Sequence, residues 1–350
     1  MAELFKGFRP YVTWANARGA WPEMIFSTRV RFARNLEGFA FTNRAAPDRL
    51  SEIRRLAFAA ARDSGLFPRG HYLKMEALGA LEKNFLAERH HISPVLVATA
   101  CPAGAVVAND EDLSVMVNEE DHLRLQCLSA GFAIEDAYKA ALKLDEALGA
   151  KLPYSFGEEF GFLTACPTNA GTGIRISCLA HLPAMARLGR MPAALESLSR
   201  LGVIARGIYG EGTYVLGDFY QIANAACLGR SEEEFCRNMD TVVRNLIRQE
   251  IDAREQLLKG PAKLKTEDAV YRAAGLLRCA RTLSYSEFMQ SMSLARMGVA
   301  MGWNMGLDLS TFNQLTLLMQ PAHIQAAAGR ALAPAERDAF RADSLRKRLN

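Results

Sequence analysis

Along the first two-thirds of the chain, short apolar runs of strand length alternate with longer stretches whose apolar positions recur at helical spacing. Residues 95–97, 106–108 and 113–117 read as strands, separated by Pro, Gly and Asn/Asp turn residues. The turn at 109–112 is too short for a helical crossover, so the strands beside it should pair antiparallel. Segments 160–165, 174–179, 203–209 and 215–222 carry the same strand signature around loops rich in small residues. Between them, 51–62 and 134–148 keep their apolar residues on one helical face. A long helix is expected from Ser231, where Glu234 completes a capping box, with Gly260 and Pro261 as its stop.

The basic stretch 259–265 then reads as a linker, and from Thr266 the pattern is helical almost to the C-terminus. That last part is rich in Ala, Leu, Met and Arg and poor in β-branched residues. The expected fold class is α+β: a catalytic-sized unit over 1–260, with a large mainly antiparallel sheet flanked by helices, then a smaller all-α unit over 261–350.

With 350 residues, half of them apolar and 23% charged, the chain is neither a disordered tail nor a small disulfide scaffold. A net charge of +4 helps attract anions and is too weak to argue for nucleic acid. The seven cysteines are scattered without CxxC spacing, so no structural metal site is expected. The opening lacks an apolar signal-peptide core, and the longest charge-poor stretch, 91–109, is broken by Pro94, Pro102 and Gly104. A soluble, cytoplasmic protein without membrane or nucleic-acid partners is the expectation.

Four polar segments carry the candidate chemistry. In Ser27-Thr28-Arg29-Val30-Arg31, a strand would point Arg29 and Arg31 to the same face. Asn118-Glu119-Glu120-Asp121-His122-Leu123-Arg124 crowds carboxylates that need nearby cations. Cys166 to Arg175 is a small-residue loop that lets backbone N–H groups approach a ligand, yet it is neither a P-loop nor a dinucleotide fingerprint. Arg206 to Thr213 sets one arginine and Glu211 among glycines. Taken singly, these are ordinary: a solvated edge, an acidic turn, a packing cysteine, a hairpin. Together they offer Arg29, Arg31, Arg124, Arg175 and Arg206 with Glu120 and Glu211. Forked, permanently charged guanidiniums suit a polyphosphate, and paired carboxylates suit a cationic nucleophile that must be oriented and deprotonated.

The motifs STRVRFARN, NEEDHLR, CPTNAGTGIR and RGIYGEG, in this order, resemble those of the ATP:guanidino phosphotransferases, which include arginine and creatine kinases. Within that family the likeness is greatest to the bacterial protein-arginine kinases of the McsB type. These share a start close to the first arginine motif, without the preceding helical domain of the phosphagen kinases, and add a C-terminal helical domain. The resemblance implies an ATP site built from Ser27, Thr28, Arg29, Val30, Arg31, His90, Arg124 and Arg175. Ile176, Ser177, Cys178 and Leu179 on the following strand, and Arg206, Gly207, Ile208, Tyr209, Gly210 and Glu211, complete it. It makes Glu120, Glu211 and Cys166 catalytic, with Thr168 beside the thiol, and Mg²⁺ the companion of ATP. His91 competes with His90 for the nucleotide contact.

The segment Arg337-Asp338-Ala339-Phe340-Arg341-Ala342 matches the RDxxRA motif, which implies an allosteric phosphoarginine pocket formed by Arg337, Asp338, Arg341 and Ala342. Arg337 and Arg341, four apart, would share a helix face and clamp the phosphate. Further implications are a homodimer, protein substrates with exposed arginine, an activator protein and Clp-type protease machinery. A free-arginine kinase and a non-catalytic phosphoarginine-binding adaptor stay open as alternatives. Two departures from the family pattern stand out: the stretch 19–24 lacks a Ser-Asp pair, and Gln221 occupies a position where arginine kinases carry aspartate.

Overall fold

The computed structural model describes residues 2–207 and 215–349. Its strands are β1 (Ile25–Arg34), β2 (His71–Lys74), β3 (Gly104–Val107), β4 (Leu113–Val117), β5 (Leu123–Ala130), β6 (Phe156–Gly157), β7 (Gly161–Phe162), β8 (Ile174–His181), β9 (Val203–Arg206) and β10 (Phe219–Asn224). Eight of them form one sheet in the order β2-β3-β4-β5-β1-β8-β10-β9. Every neighbouring pair is antiparallel, including β3 and β4 across the 109–112 turn. β6 and β7 make a separate small ribbon.

Helices Ile134–Gly149 and Glu232–Leu257 cover one face of the sheet. Ala137, Ala141 and Leu144 of the first, and Phe235, Met239 and Leu246 of the second, join Val30, Ile176 and Cys178 in one apolar core. The Ser231 capping box forms: the Glu234 amide donates to Ser231 Oγ at 3.2 Å, and the Ser231 amide to Glu234 Oε2 at 2.8 Å.

Three expected elements differ. Residues 95–97 lie in the helix Pro94–Ala98, because Ser93 caps its start (the Leu96 amide reaches Ser93 Oγ at 3.1 Å) and Pro94 sits in the first turn. Of 160–165, only Gly161–Phe162 is strand. The long helix ends at Leu257, and Gly260 opens the helix Gly260–Cys279 rather than stopping its predecessor. Most of the basic stretch 259–265 is therefore helical, with Pro261 in a first turn where its missing N–H costs nothing.

The C-terminal part is all-helical as expected, with Gly260–Cys279 followed by Tyr285–Ala300, Leu309–Leu318, Pro321–Ala328 and Pro334–Leu349. Its buried Val270, Phe288, Phe312 and Leu345 belong to the same continuous core as the sheet. Arg296, fully buried, ties the two parts further. It donates to the carbonyls of Pro22 (2.7 Å) and Glu23 (3.0 Å), just before β1, and to Asn313 Oδ1 at 2.9 Å; its NH1 lies 2.7 Å from His181 Nδ1 at the end of β8.

Candidate active site

Strand alternation decides which side chains of β1 meet the open face. Val30 packs into the core, so Ser27, Arg29 and Arg31 face the other way. Register then lines up their neighbours: Arg31 lies opposite Arg175 of β8 and Gln126 of β5, and Ala33 lies opposite Arg124. Arg206 of β9 pairs with Gln221 of β10, which in turn faces Leu179. A cavity of about 610 Å³ opens over this face, and its lining includes Arg29, Arg31, Arg124, Arg175 and Arg206. Glu119, Glu120, Cys166, Thr168, Asn169 and His90 line it too. A smaller recess shares Arg29, His90 and Gln221 with it and adds Ser27, Ser177 and Leu179.

The cations are crowded, Arg29 and Arg31 most of all. Burial, then the charges of Arg124 and Arg175, lower the Arg29 guanidinium to about 9. Arg31 is pushed well below its ordinary value by burial and by Arg29, Arg124 and Arg175, with Glu119 opposing. The buried Nε atoms of both find no hydrogen-bond partner among the described residues. Desolvated like charges with spare donors form a site that an anion relieves on every count.

The acidic side is better balanced. Arg124 reaches Glu119 Oε1 at 2.8 Å and Glu120 Oε2 at 3.3 Å. Glu119 is buried and also accepts from Ser93 Oγ and the Glu120 amide, whereas Glu120 leaves 42% of its side chain exposed. Asn169 donates to Glu120 Oε2 at 3.4 Å and to Asp121 Oδ2 at 3.2 Å, joining the acidic turn to the cysteine loop. Cys166 Sγ lies 3.0 Å from Thr168 Oγ1. Among the described residues no group of three His, Cys, Asp or Glu could hold a metal.

His90 lines the cavity, and burial followed by the charge of Arg29 lowers its imidazole to about 3, so it is neutral at physiological pH. His91 is turned away, its Nε2 2.7 Å from buried Glu111.

Four of the expected nucleotide residues turn their side chains away from the cavity. Thr28, Val30, Ile176 and Cys178 are buried on the opposite sheet face. Thr28 Oγ1 donates to the Gly131 carbonyl at 2.7 Å, and Cys178 lies 3.7 Å from it, so these side chains build the core behind the site. Gly207 is buried; Ile208, Tyr209, Gly210 and Glu211 lie outside the described residues.

Arg341 is buried rather than open. It donates to the carbonyls of Met319 (2.8 Å) and Leu283 (2.7 Å) and to Asp338 Oδ1 (2.7 Å), while Ala342 is buried beside it. The expected clamp of Arg337 with Arg341 is thus absent in this conformation, because the Arg341 donors are taken by two backbone carbonyls and Asp338. Glu119 and Asn169 fall within candidate segments without an assigned role, and Gln126 lies outside them. Gln126 had a signal, being two residues beyond Arg124 on one strand.

A sheet face of converging arginines opposite a carboxylate and a cysteine offers an anion and a cation separate places in one cavity. The family model for the ATP:guanido phosphotransferase C-terminal catalytic domain matches residues 52–253, and the chain belongs to that family. Residues 263–350 match the model of the protein-arginine kinase McsB C-terminal domain, which places the chain with the protein-arginine kinase branch.

Curated relatives named protein-arginine kinase include one from Moorella thermoacetica, 41% identical over 339 residues (96% of this chain, 97% of the relative). Another, from Halothermothrix orenii, is 38% identical over 337 residues (96% of each). Among solved structures, lombricine kinase aligns with a TM-score of 0.59 at 24% identity, over 73% of this chain and 75% of that one, and shows the shared fold. A duplicated taurocyamine kinase from Schistosoma mansoni, with bound transition-state analogue components, aligns with a TM-score of 0.60 at 25% identity over 76% of this chain and 38% of its own.

Proposed function

We propose that this protein transfers the γ-phosphoryl group of ATP to arginine side chains of proteins. The observation that carries the reading is the convergence of Arg29, Arg31, Arg124, Arg175 and Arg206 with Glu120 and Cys166 on one cavity. The triphosphate would lie over the arginines, each offering forked donors that cannot lose charge in water. Neutral His90, with Ser177 and Leu179 in the adjoining recess, would contact the rest of the nucleotide.

Guanidinium is a poor nucleophile while protonated, its ordinary pKa lying above about 12. Glu120, anchored by Arg124 and Asn169 but partly open, would fix the acceptor's rotamer and take its proton as the N–P bond forms. Cys166 would orient the same guanidinium from the other side, and Glu211 is the expected second carboxylate. Mg²⁺ brought by ATP would neutralise charge on the transferred group, and Glu119 and Glu120, which line the cavity, are the carboxylates that could hold its water shell.

The reading extends to a cytoplasmic homodimer, activated by phosphoarginine at the Arg337–Ala342 segment and marking proteins for Clp-type degradation. Its support is the match of residues 263–350 to the McsB C-terminal domain. No helix among the described residues is long and apolar enough to cross a membrane.

The deciding experiment incubates the protein with ATP and Mg²⁺ and either an unfolded protein or free arginine. Products are read by mass spectrometry without acid, because the P–N bond is acid-labile. Phosphoarginine in the protein substrate is the expected result; phosphorylation of free arginine alone would replace the reading with a small-molecule guanidino kinase.

A further inference from the structure

The cavity wall formed by His90, Ile92, Ser93, Pro94 and Val95 is fastened to the C-terminal helices by a buried carboxylate that the chemistry above does not use. Glu88, at the end of the helix Ala80–Glu88, points into the start of the helix Pro321–Ala328. Its Oε1 accepts the Ala322 amide at 2.7 Å, and its Oε2 accepts the His323 amide at 3.0 Å and lies 2.7 Å from His323 Nδ1. A buried carboxylate with three donors is held hard, and its partners are held with it.

The grip continues toward the nucleotide. Arg89 NH1 approaches His323 Nε2 at 3.5 Å, and Arg89 makes a two-pronged contact with Glu111 at 2.7 and 2.6 Å. Glu111 also takes His91 Nε2. His90, caught between Arg89 and His91, sits at a φ of 62°, a left-handed conformation costly for a residue with a side chain. That turn sends His90 into the cavity and His91 to Glu111. It is secured on the other side by Gln126 Nε2, which donates to the His90 carbonyl at 2.7 Å.

At the far end, Arg341 Nε holds the Met319 carbonyl, and only Gln320 and Pro321 separate that carbonyl from the amide of Ala322 held by Glu88.

We propose that Glu88 and His323 are positioning residues that let the C-terminal helices hold the nucleotide-facing turn at His90, and that the strut from Arg341 to Glu88 carries the effector's signal to the ATP site. The second half rests on the reading of Arg337–Ala342 as a phosphoarginine site; the first does not. An effector that draws Arg341 away from Met319 would release the start of the helix Pro321–Ala328, and with it the wall around His90.

The test uses the full chain and steady-state kinetics. Glu88→Gln and His323→Phe should each raise KM for ATP about tenfold while kcat changes less than about threefold, the mark of lost ground-state positioning. His323→Asn, whose amide nitrogen can replace the Nδ1 donor, should return KM to within about threefold of the parent. In a parent that responds to free phosphoarginine, Glu88→Gln should lose the response.

Unchanged KM in variants that melt like the parent would overturn the strut, as would equal damage from His323→Asn and His323→Phe. Should Glu88→Gln fail to fold, the His323 pair decides. A parent indifferent to phosphoarginine, with the KM pattern intact, would remove the effector reading alone.

Discussion

Two sets of arginines in this molecule, one buried and one half-buried, stand in opposite condition. Arg341 and Arg296 are sealed within the helices, and each meets carbonyl or side-chain acceptors on several sides. Arg29 and Arg31 lie on the central strand, pressed against other cations, with Nε atoms unmatched among the described residues. Residue type is the same; the state of the donors differs. Satisfied guanidiniums hold the fold, and unsatisfied ones await an anion.

The largest expected effect tests whether the crowded set serves chemistry. Glu120→Ala should cut kcat by about 10²- to 10³-fold, the usual cost of one positioned polar group in an active site. ATP affinity, measured by calorimetry, should largely survive. A variant that turns over like the parent would leave the arginines without a reaction to serve.

Next comes the satisfied set. Arg341→Ala strands the Met319 and Leu283 carbonyls and should cost about 3 kcal/mol in denaturant unfolding, at roughly 1–3 kcal/mol per unsatisfied buried group. Arg337, half-buried and outside that set, is the cleaner position for probing an effector, because Arg337→Ala leaves these bonds in place.

The sharpest contrast is one of sign. Arg31→Met removes a desolvated charge from a like-charged cluster and should raise the melting temperature of the nucleotide-free protein by about 2–4 °C, the shift that 1 kcal/mol produces in a domain of this kind. The same change should weaken ATP binding at least about tenfold. A lower melting temperature would mean that Arg31 is structural after all.

The smallest effect concerns pH. Burial lowers His71, His90, His122, His181 and His323 below the ordinary 6.5. The unfolded chain therefore takes up protons near pH 6.5 that the folded chain refuses. Their contribution to stability is whole above about pH 6.5 and shrinks as pH falls. Burial works against the Glu111 charge, but hydrogen bonds from His91 and Arg89 outweigh it and hold the carboxyl at about 2, so its contribution is lost on acidification too. Melting curves at pH 7 and pH 5 should show the histidine decline; the Glu111 part should appear only below about pH 4.5, where Arg89 or His91 variants should flatten the further fall.

The sequence was most legible where one rule acts alone. Alternation along β1 put Arg29 and Arg31 on one face, and the capping box at Ser231 marked a helix start that the structure repeats. It was least legible where rules compete. The β-branched residues at 95–97 favour a strand, yet Ser93 and Pro94 start a helix. Gly260 and Pro261 fit a helix stop as well as a helix start, and packing selected the start. The motifs place Thr28, Val30, Ile176 and Cys178 with the nucleotide, whereas alternation turns their side chains to the core, because a motif is contiguous in sequence while a strand shows only every second side chain to one face. Arg341 reads as an exposed helix residue by spacing; only the placement of the 283 and 319 turns reveals that its donors are taken.

Because Arg29 and Arg31 stand on the innermost strand and not on a hinged loop, the polypeptide cannot swing them apart to ease their mutual repulsion. The tension stays in the empty protein until something from solution discharges it. Any multivalent oxyanion of suitable size, including inorganic tripolyphosphate or concentrated sulfate in a storage buffer, should therefore harden the molecule against heat, making its apparent robustness a reading of what happens to be dissolved around it.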